Sequence, residues 1–228
     1  MFTIAMVSQK GGTGKSSIVV GLAVEAAQQG FDVAIIDIDP QQSAAKWGDR
    51  RQKENPTVFS AQASRLQQTL DQVRASGADF TFIDTAGRLD NAALETIRIS
   101  DMVIIPTRPS MVEIETLPSV TDMVRLAGSP PTFVLINGMH PSASVKSAAD
   151  LKTALHQLYK VDFVGPHISQ LNAYSDAMGD GTGPQEADPK GRAAVELTAL
   201  FQFVNDCVRR PKAAGRKKVA RISGGGRA

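Results

Sequence analysis

Cysteine is nearly absent: of 228 residues, only Cys207 carries a thiol. One cysteine excludes any disulfide within the chain and any Cys-x-x-Cys cluster, and suits a reducing cytosol. Long apolar runs are missing too, and none approaches the ~20 residues that a membrane-spanning helix needs. The chain enters an apolar run at Phe2 without the basic and apolar regions of a secretory signal. His140, His156 and His167 lack metal-ligand spacing. No Gly-x-Ser-x-Gly turn suggests a hydrolase triad. These absences leave a soluble protein, expected in the cytoplasm. A hydrophobic content of 42% and a charged content of 21% are ordinary for such a chain, and its length suits one large α/β domain with or without a tail.

The small net charge of +2 hides an asymmetry. From Arg209 onward there are eight bases and no acid, which leaves 17 bases against 23 acids in the rest. The end also holds Pro211 and Gly224-Gly225-Gly226 and little that could be buried. The expected organisation is therefore a domain over 1–208 and a basic, disordered tail over 209–228.

Along the body, apolar runs alternate with helical patterns. Phe2–Val7, Val33–Asp37, Phe80–Ile83, Met102–Ile105 and Thr132–Ile136 read as strands, and Thr57–Ser60 and Val161–Val164 as shorter ones. Helices are expected from about Lys15 to Gln29, stopping at Gly30, then over Gln42–Lys53, around Leu66, Leu70 and Val73, and over Leu89–Ile99. Three more are expected over Glu113–Leu126, Val145–Tyr159 and from about Lys190, the last burying Leu197, Leu200, Phe201, Val204 and Val208. Continuous apolar strands separated by helices predict an α/β fold with a doubly wound, mainly parallel sheet flanked by helices. In such sheets ligands collect at the C-terminal ends of the strands. Ser8–Ser16, Asp37, Asp39, Asp84, Pro106–Ser110 and Asn137 all fall at such ends.

The most informative stretch is Lys10-Gly11-Gly12-Thr13-Gly14-Lys15-Ser16-Ser17. A strand before it and a helix after it give the setting of a phosphate-binding P-loop, in which glycines let backbone N–H groups face phosphate oxygens. Lys15 could reach the β- and γ-phosphates, and the Ser16 hydroxyl could ligate Mg²⁺. The general P-loop pattern asks for a glycine where this chain has Gln9; a second lysine, Lys10, opens the motif instead. Asp84 closes an apolar strand, as a Walker B carboxylate does, and could hold the Mg²⁺ shell. Asp37 and Asp39 stand two apart and would share a face if extended; two turn acids capping the next helix is the plainer alternative.

The form KGGxGK[ST] resembles the deviant Walker A motif of the ParA/MinD family of P-loop ATPases. Asp37-Ile38-Asp39-Pro40-Gln41 resembles that family's DxDPQ motif, more closely the ParA branch. The resemblance runs from about Thr3 to Arg209 and extends, more loosely, to Asp188-Pro189-Lys190-Gly191-Arg192. It implies ATP and Mg²⁺ as cofactors and slow, partner-stimulated hydrolysis. Lys10 would cross a dimer interface to the partner's nucleotide, Asp39 would orient or activate the attacking water, and Asp37 would support the metal shell. Asn137 would meet the adenine, with Gln185–Pro189 closing over it, and Pro106, Pro109 and Pro118 would lie near the dimer interface. With the phosphate loop so close to residue 1, the chain resembles the small ParA proteins that lack an N-terminal helix-turn-helix domain.

The function implied is an ATPase that dimerises on ATP, binds nucleoid DNA without sequence preference and partitions a plasmid or chromosome with a ParB-like adaptor. Positioning of a protein assembly (a chemoreceptor array, a microcompartment, or secretion or conjugation machinery) is the alternative. Lys190, Arg192, Arg209 and Arg210 are candidate DNA contacts. A membrane-binding relative would end in an amphipathic helix, but the tail offers only Val219 and Ile222, so no membrane partner is expected. A regulator that only binds nucleotide would be expected to have lost Asp39 or Lys15, and both are here.

Overall fold

The computed structural model of the chain describes residues 1–209. Seven strands form one sheet: β1 (Phe2–Met6), β2 (Val33–Asp37), β3 (Thr57–Ser60), β4 (Phe80–Asp84), β5 (Met102–Thr107), β6 (Thr132–Met139) and β7 (Ile168–Ser169). Their order is β3-β2-β4-β1-β5-β6-β7, and every pairing is parallel. The helices are α1 (Lys15–Gln28), α2 (Ser43–Arg50), α3 (Leu66–Ala75), α4 (Asn91–Ile99), α5 (Met111–Ile114), α6 (Leu117–Leu126), α7 (Val145–Tyr159), α8 (Asn172–Asp180), α9 (Pro184–Ala187) and α10 (Arg192–Arg209).

Each central strand is apolar throughout because alternate side chains enter different cores. Ile4 and Met6 of β1, Val33 and Ile35 of β2, and Met102 and Ile104 of β5 pack under α1, α2 and α10. Ala5, Val103 and Ile105 face the opposite layer, with Ile97 of α4, Val120 of α6 and Leu155 of α7. Ala34 and Ile36 meet Leu70 and Val73 of α3.

Helix α1 is buried from Ile18 to Ala26 without a break. Its inner side lies on the sheet, and its outer side is covered by α8, α9 and α10. A Cβ on Gly21 would come within 2.6 Å of Leu197 Cδ2, so glycine lets α10 pack closely here and a larger residue would make Leu197 shift. The outer cover is tied down around the turn between α8 and α9. Gln185 Nε2 donates to the Gly21 carbonyl at 2.8 Å. Trp47 Nε1 donates to the Thr182 carbonyl at 2.9 Å, and Arg51 stacks on the Trp47 ring while pairing with Glu186 through two N–H···O bonds.

Two expectations from periodicity need correction. The helix expected over Glu113–Leu126 is broken into α5 and α6, because Pro118 lacks an N–H and fits only the first turn of a new helix. The strand expected at Val161–Val164 contributes a single bridge, Val134 to Phe163. The Lys152 ammonium gathers the carbonyls of Val164, Gly165 and Pro166 at 2.9, 2.6 and 3.0 Å, which turns the chain away, and β7 forms only at Ile168.

Phe201 of α10 closes the core against Phe31 and Phe80, with ring centroids 6.0 and 5.4 Å apart, and is fully buried. Phe201→Ala is expected to lower unfolding stability by about 3–5 kcal/mol. Urea denaturation followed by circular dichroism measures this as a shift in midpoint without a change in slope.

Candidate functional site

Registers across the sheet assemble the site. Met6 of β1 lies beside Asp84 of β4, and Asp84 lies beside Asp37 of β2. The chain leaves all three strands at the same edge, so the loops after β1, β2 and β4 emerge together. They surround an open cleft of ≈ 610 Å³, lined by Gly11, Gly12, Gly14, Lys15, Ser16 and Ser17, by Asp39, Pro40, Gln41 and Ser43, and by Ala86, Gly87, Arg88 and Met178.

The P-loop ends at the first turn of α1, where unsatisfied backbone N–H groups favour an anion. Gly14 precedes the helix at φ +90°, in the left-handed region. Thr13 is buried, and its hydroxyl lies 3.0 Å from that of Ser8. Lys15 is buried on the floor, where its ammonium donates to Ser8 Oγ at 2.9 Å and reaches the Lys10 carbonyl at 3.5 Å. Burial lowers its pKa, while Asp84, Asp39 and Glu113 pull it up.

Asp84 is fully buried, and neither of its carboxylate oxygens has a hydrogen-bond partner. Burial pushes its pKa up to about 7, against the pull of the Ser16 hydroxyl and the Lys15 charge, and with help from Asp37 and Asp39. A buried, unpartnered carboxylate beside a serine hydroxyl suits a hard cation that keeps much of its water, as Mg²⁺ does. Ser16 and Asp84 are thus the residues that could hold Mg²⁺. Among the described residues no cluster of three or more His, Cys, Asp or Glu could hold a metal ion.

Asp37 is held by two backbone N–H groups. Its Oδ1 accepts the Asp39 N–H and its Oδ2 the Ala45 N–H, both at 2.9 Å, so it ties the loop to the start of α2. Burial raises its pKa, against the pull of those same N–H groups. The turn-capping alternative describes Asp37, whereas Asp39 remains half-buried on the cleft wall, with Oδ1 accepting the Gln41 N–H at 2.9 Å.

Lys10 does not line the cleft of its own chain; its ammonium donates to the Val112 carbonyl of α5 at 2.8 Å. Asn137 does not line it either. Its amide donates to the Thr13 carbonyl at 2.6 Å and presses against Gly14, where any Cβ would lie 2.3 Å away, so it braces the P-loop from behind. Gln185, expected in a closing segment, is buried against α1.

The basic candidates do not form one patch. Lys190 and Arg192 stand at the start of α10, and Arg192 is held by Glu196 at 2.9 Å and by the Pro141 carbonyl. Arg209 is exposed at the far end, about 26 Å away along an 18-residue helix. Phe201 and Phe203 pack there near the N-terminal ends of the strands, so Arg209 lies toward the edge opposite the cleft. Arg210 and the rest of the expected tail lie outside the described residues.

Sequence reasoning missed Ser43, Arg88 and Met178. Arg88 follows Asp84-Thr85-Ala86-Gly87 directly, a signal that could have been read; Met178 comes from α8, a helix with no pattern that pointed to the cleft.

Relief of the buried Asp84 charge can be measured. Because the folded pKa is raised, ionised Asp84 costs nothing below pH about 3.8, an increasing amount up to about 7 and a constant amount above that. Asp84→Asn should therefore raise the thermal midpoint of the metal-free protein at pH 8, by roughly 2–4 °C per kcal/mol relieved. The gain should shrink toward zero near pH 4. Melting curves in EDTA across that range, repeated with Mg²⁺ and ATP, check both this and a smaller ligand-induced shift in the variant.

A family model described as the CobQ/CobB/MinD/ParA nucleotide binding domain matches residues 4–184. The chain is 24% identical over 216 residues to maintenance of carboxysome distribution protein A of Halothiobacillus neapolitanus, covering 91% of this chain and 96% of that one. Protein ParA of Rhizobium radiobacter is 32% identical over 115 residues, about half of each chain. In structure, the septum site-determining protein MinD of Pyrococcus horikoshii with Mg-ADP superposes with a TM-score of 0.71 at 17% identity, covering 91% of this chain and 97% of that one.

Proposed function

The chain belongs to the CobQ/CobB/MinD/ParA nucleotide-binding family, and from that premise we propose that it is a Mg²⁺-dependent ATPase that dimerises on ATP and uses DNA to position a cargo. The observation that carries this reading is the cleft itself. One buried lysine, a row of backbone N–H groups at a helix start and an orphaned carboxylate converge where a triphosphate and its cation would lie.

Lys15 supplies fixed positive charge to the β- and γ-phosphate oxygens, from a position that Ser8 and the Lys10 carbonyl hold rigid. Bound Mg²⁺ would neutralise charge on those oxygens, with Ser16 and Asp84 as its protein contacts. Asp39 faces the same cleft with a free carboxylate oxygen and orients the attacking water. Asp37 keeps that loop in place through the Asp39 N–H. The Lys10 ammonium rests on the Val112 carbonyl of α5, outside its own cleft, which supports a role at the nucleotide of a second copy.

For the cargo, two readings stand. Partition of a replicon through a ParB-like adaptor rests on the resemblance to ParA, whose likeness spans half of the chain. Distribution of a protein assembly is favoured by a likeness that spans nearly the whole chain, to a protein named for carboxysome distribution. Both use the same nucleotide-gated hold on DNA, which the basic end of the chain would strengthen in a salt-sensitive way.

The test is binding to unrelated duplexes with ATP, ADP or no nucleotide, using the full chain and a version ending at Cys207. ATP-dependent binding is expected in both, at least about tenfold above the ADP level. It should be lost in Lys15→Ala, which cannot hold the triphosphate, and in Lys10→Ala, which should remain monomeric in sedimentation with ATP. Binding that ignores nucleotide and disappears with the tail would overturn the DNA-gating part of the reading.

A further inference from the structure

Arg88 is a cation with no task in the reading above. It stands four residues past Asp84, on the segment that the β1–β4 register sends alongside the P-loop. The two segments touch backbone to backbone, since a Cβ on Gly87 would fall 2.4 Å from the Gly11 nitrogen. Arg88 lines the cleft with Gly11, Lys15 and Ser16. It also lines a neighbouring cavity of ≈ 390 Å³, and Asp39, Pro40 and Ala86 are the other residues common to both. Arg88 and Asp39 therefore stand on the wall that the two cavities share, with Asp90 on the side of the smaller cavity.

Its present partner is Asp90. Arg88 Nε donates to Asp90 Oδ2 at 2.5 Å, while Asp90 Oδ1 accepts the Ala93 N–H at 3.0 Å and caps α4. The side chains are 63% and 36% exposed. An ion pair in that setting is weak and easily exchanged. A guanidinium on phosphate oxygens gains two parallel charge-assisted bonds against a higher charge density.

We propose that Arg88 is a further nucleotide-contacting residue, one that leaves Asp90 for the terminal phosphate of a nucleoside triphosphate. The segment from Ala86 to Asp90 then reports which nucleotide is bound. A triphosphate draws Arg88 over and frees Asp90 to serve as the α4 cap alone; a diphosphate offers no such oxygen, and the ion pair persists. This assignment rests on the reading of the cleft as an ATP site.

The experiment measures the affinity of a fluorescent non-hydrolysable ATP analogue and of fluorescent ADP, with Mg²⁺, for the full chain and four variants. The variants are Arg88→Ala, Arg88→Lys, Asp90→Asn and the Arg88→Ala/Asp90→Asn double. Asn at 90 keeps the helix cap and removes the charge. Arg88→Ala should weaken the triphosphate about tenfold and leave the diphosphate within about twofold, with Arg88→Lys recovering part of the loss. Asp90→Asn should tighten the triphosphate, and that gain should vanish in the double variant. Equal effects on both nucleotides, or a gain from Asp90→Asn that survives without Arg88, would overturn the assignment. Lys15→Ala is the control for the site. If it binds as the wild type does, the ATP reading fails; if it fails to bind while the Arg88 variants match the wild type, only the role of Arg88 is lost.

Discussion

A buried charge at the end of β4 is the constraint on which this site depends. Asp84 is fully enclosed without a hydrogen-bond partner, one strand from the end of β1 and close to the Lys15 ammonium. Carboxylates seldom stay buried and unsatisfied unless something else is meant to neutralise them. Lys15 opposes the cost only in part, since burial still raises the Asp84 pKa and lowers that of Lys15. The protein thus holds an electrostatic debt that a hydrated divalent cation with a polyphosphate is suited to remove. Ligand affinity and fold stability meet at that one residue.

The rest of the architecture keeps this point rigid. Ser8, Thr13 and Asn137 brace the P-loop from below and behind, and Asp37 braces the next loop. On the outside, α8, α9 and α10 cover α1, with Gln185, Trp47, Arg51 and Glu186 as fasteners. The side chains left exposed near the cleft are those with room to change partner. Arg88 rests on an exposed aspartate, and Lys10 rests on a backbone carbonyl of a four-residue helix, beside the exposed Met111 and Val112.

Much of this could be read from the chain. The doubly wound sheet followed from apolar strands alternating with helical patterns, and the family matched over residues 4–184 is the one that the lysine-rich P-loop and DxDPQ motif resembled. Individual side chains were less legible. Asn137, expected at a strand end, lies inside β6, which runs on to Met139, and its amide turns toward Thr13. Arg192 and Arg209 belong to a single helix, yet its length sets them about 26 Å apart.

By itself, the sequence determined the element types, the chemistry of the phosphate loop and the strand ends at which polar groups collect. Each of these depends on local periodicity or on residues a few positions apart. Tertiary structure decided which strand ends are neighbours, which acid stays unpaired and which partners the cations near the cleft take. Those outcomes depend on register between strands some 80 residues apart, and on which N–H groups reach a carboxylate first, and no local pattern encodes either.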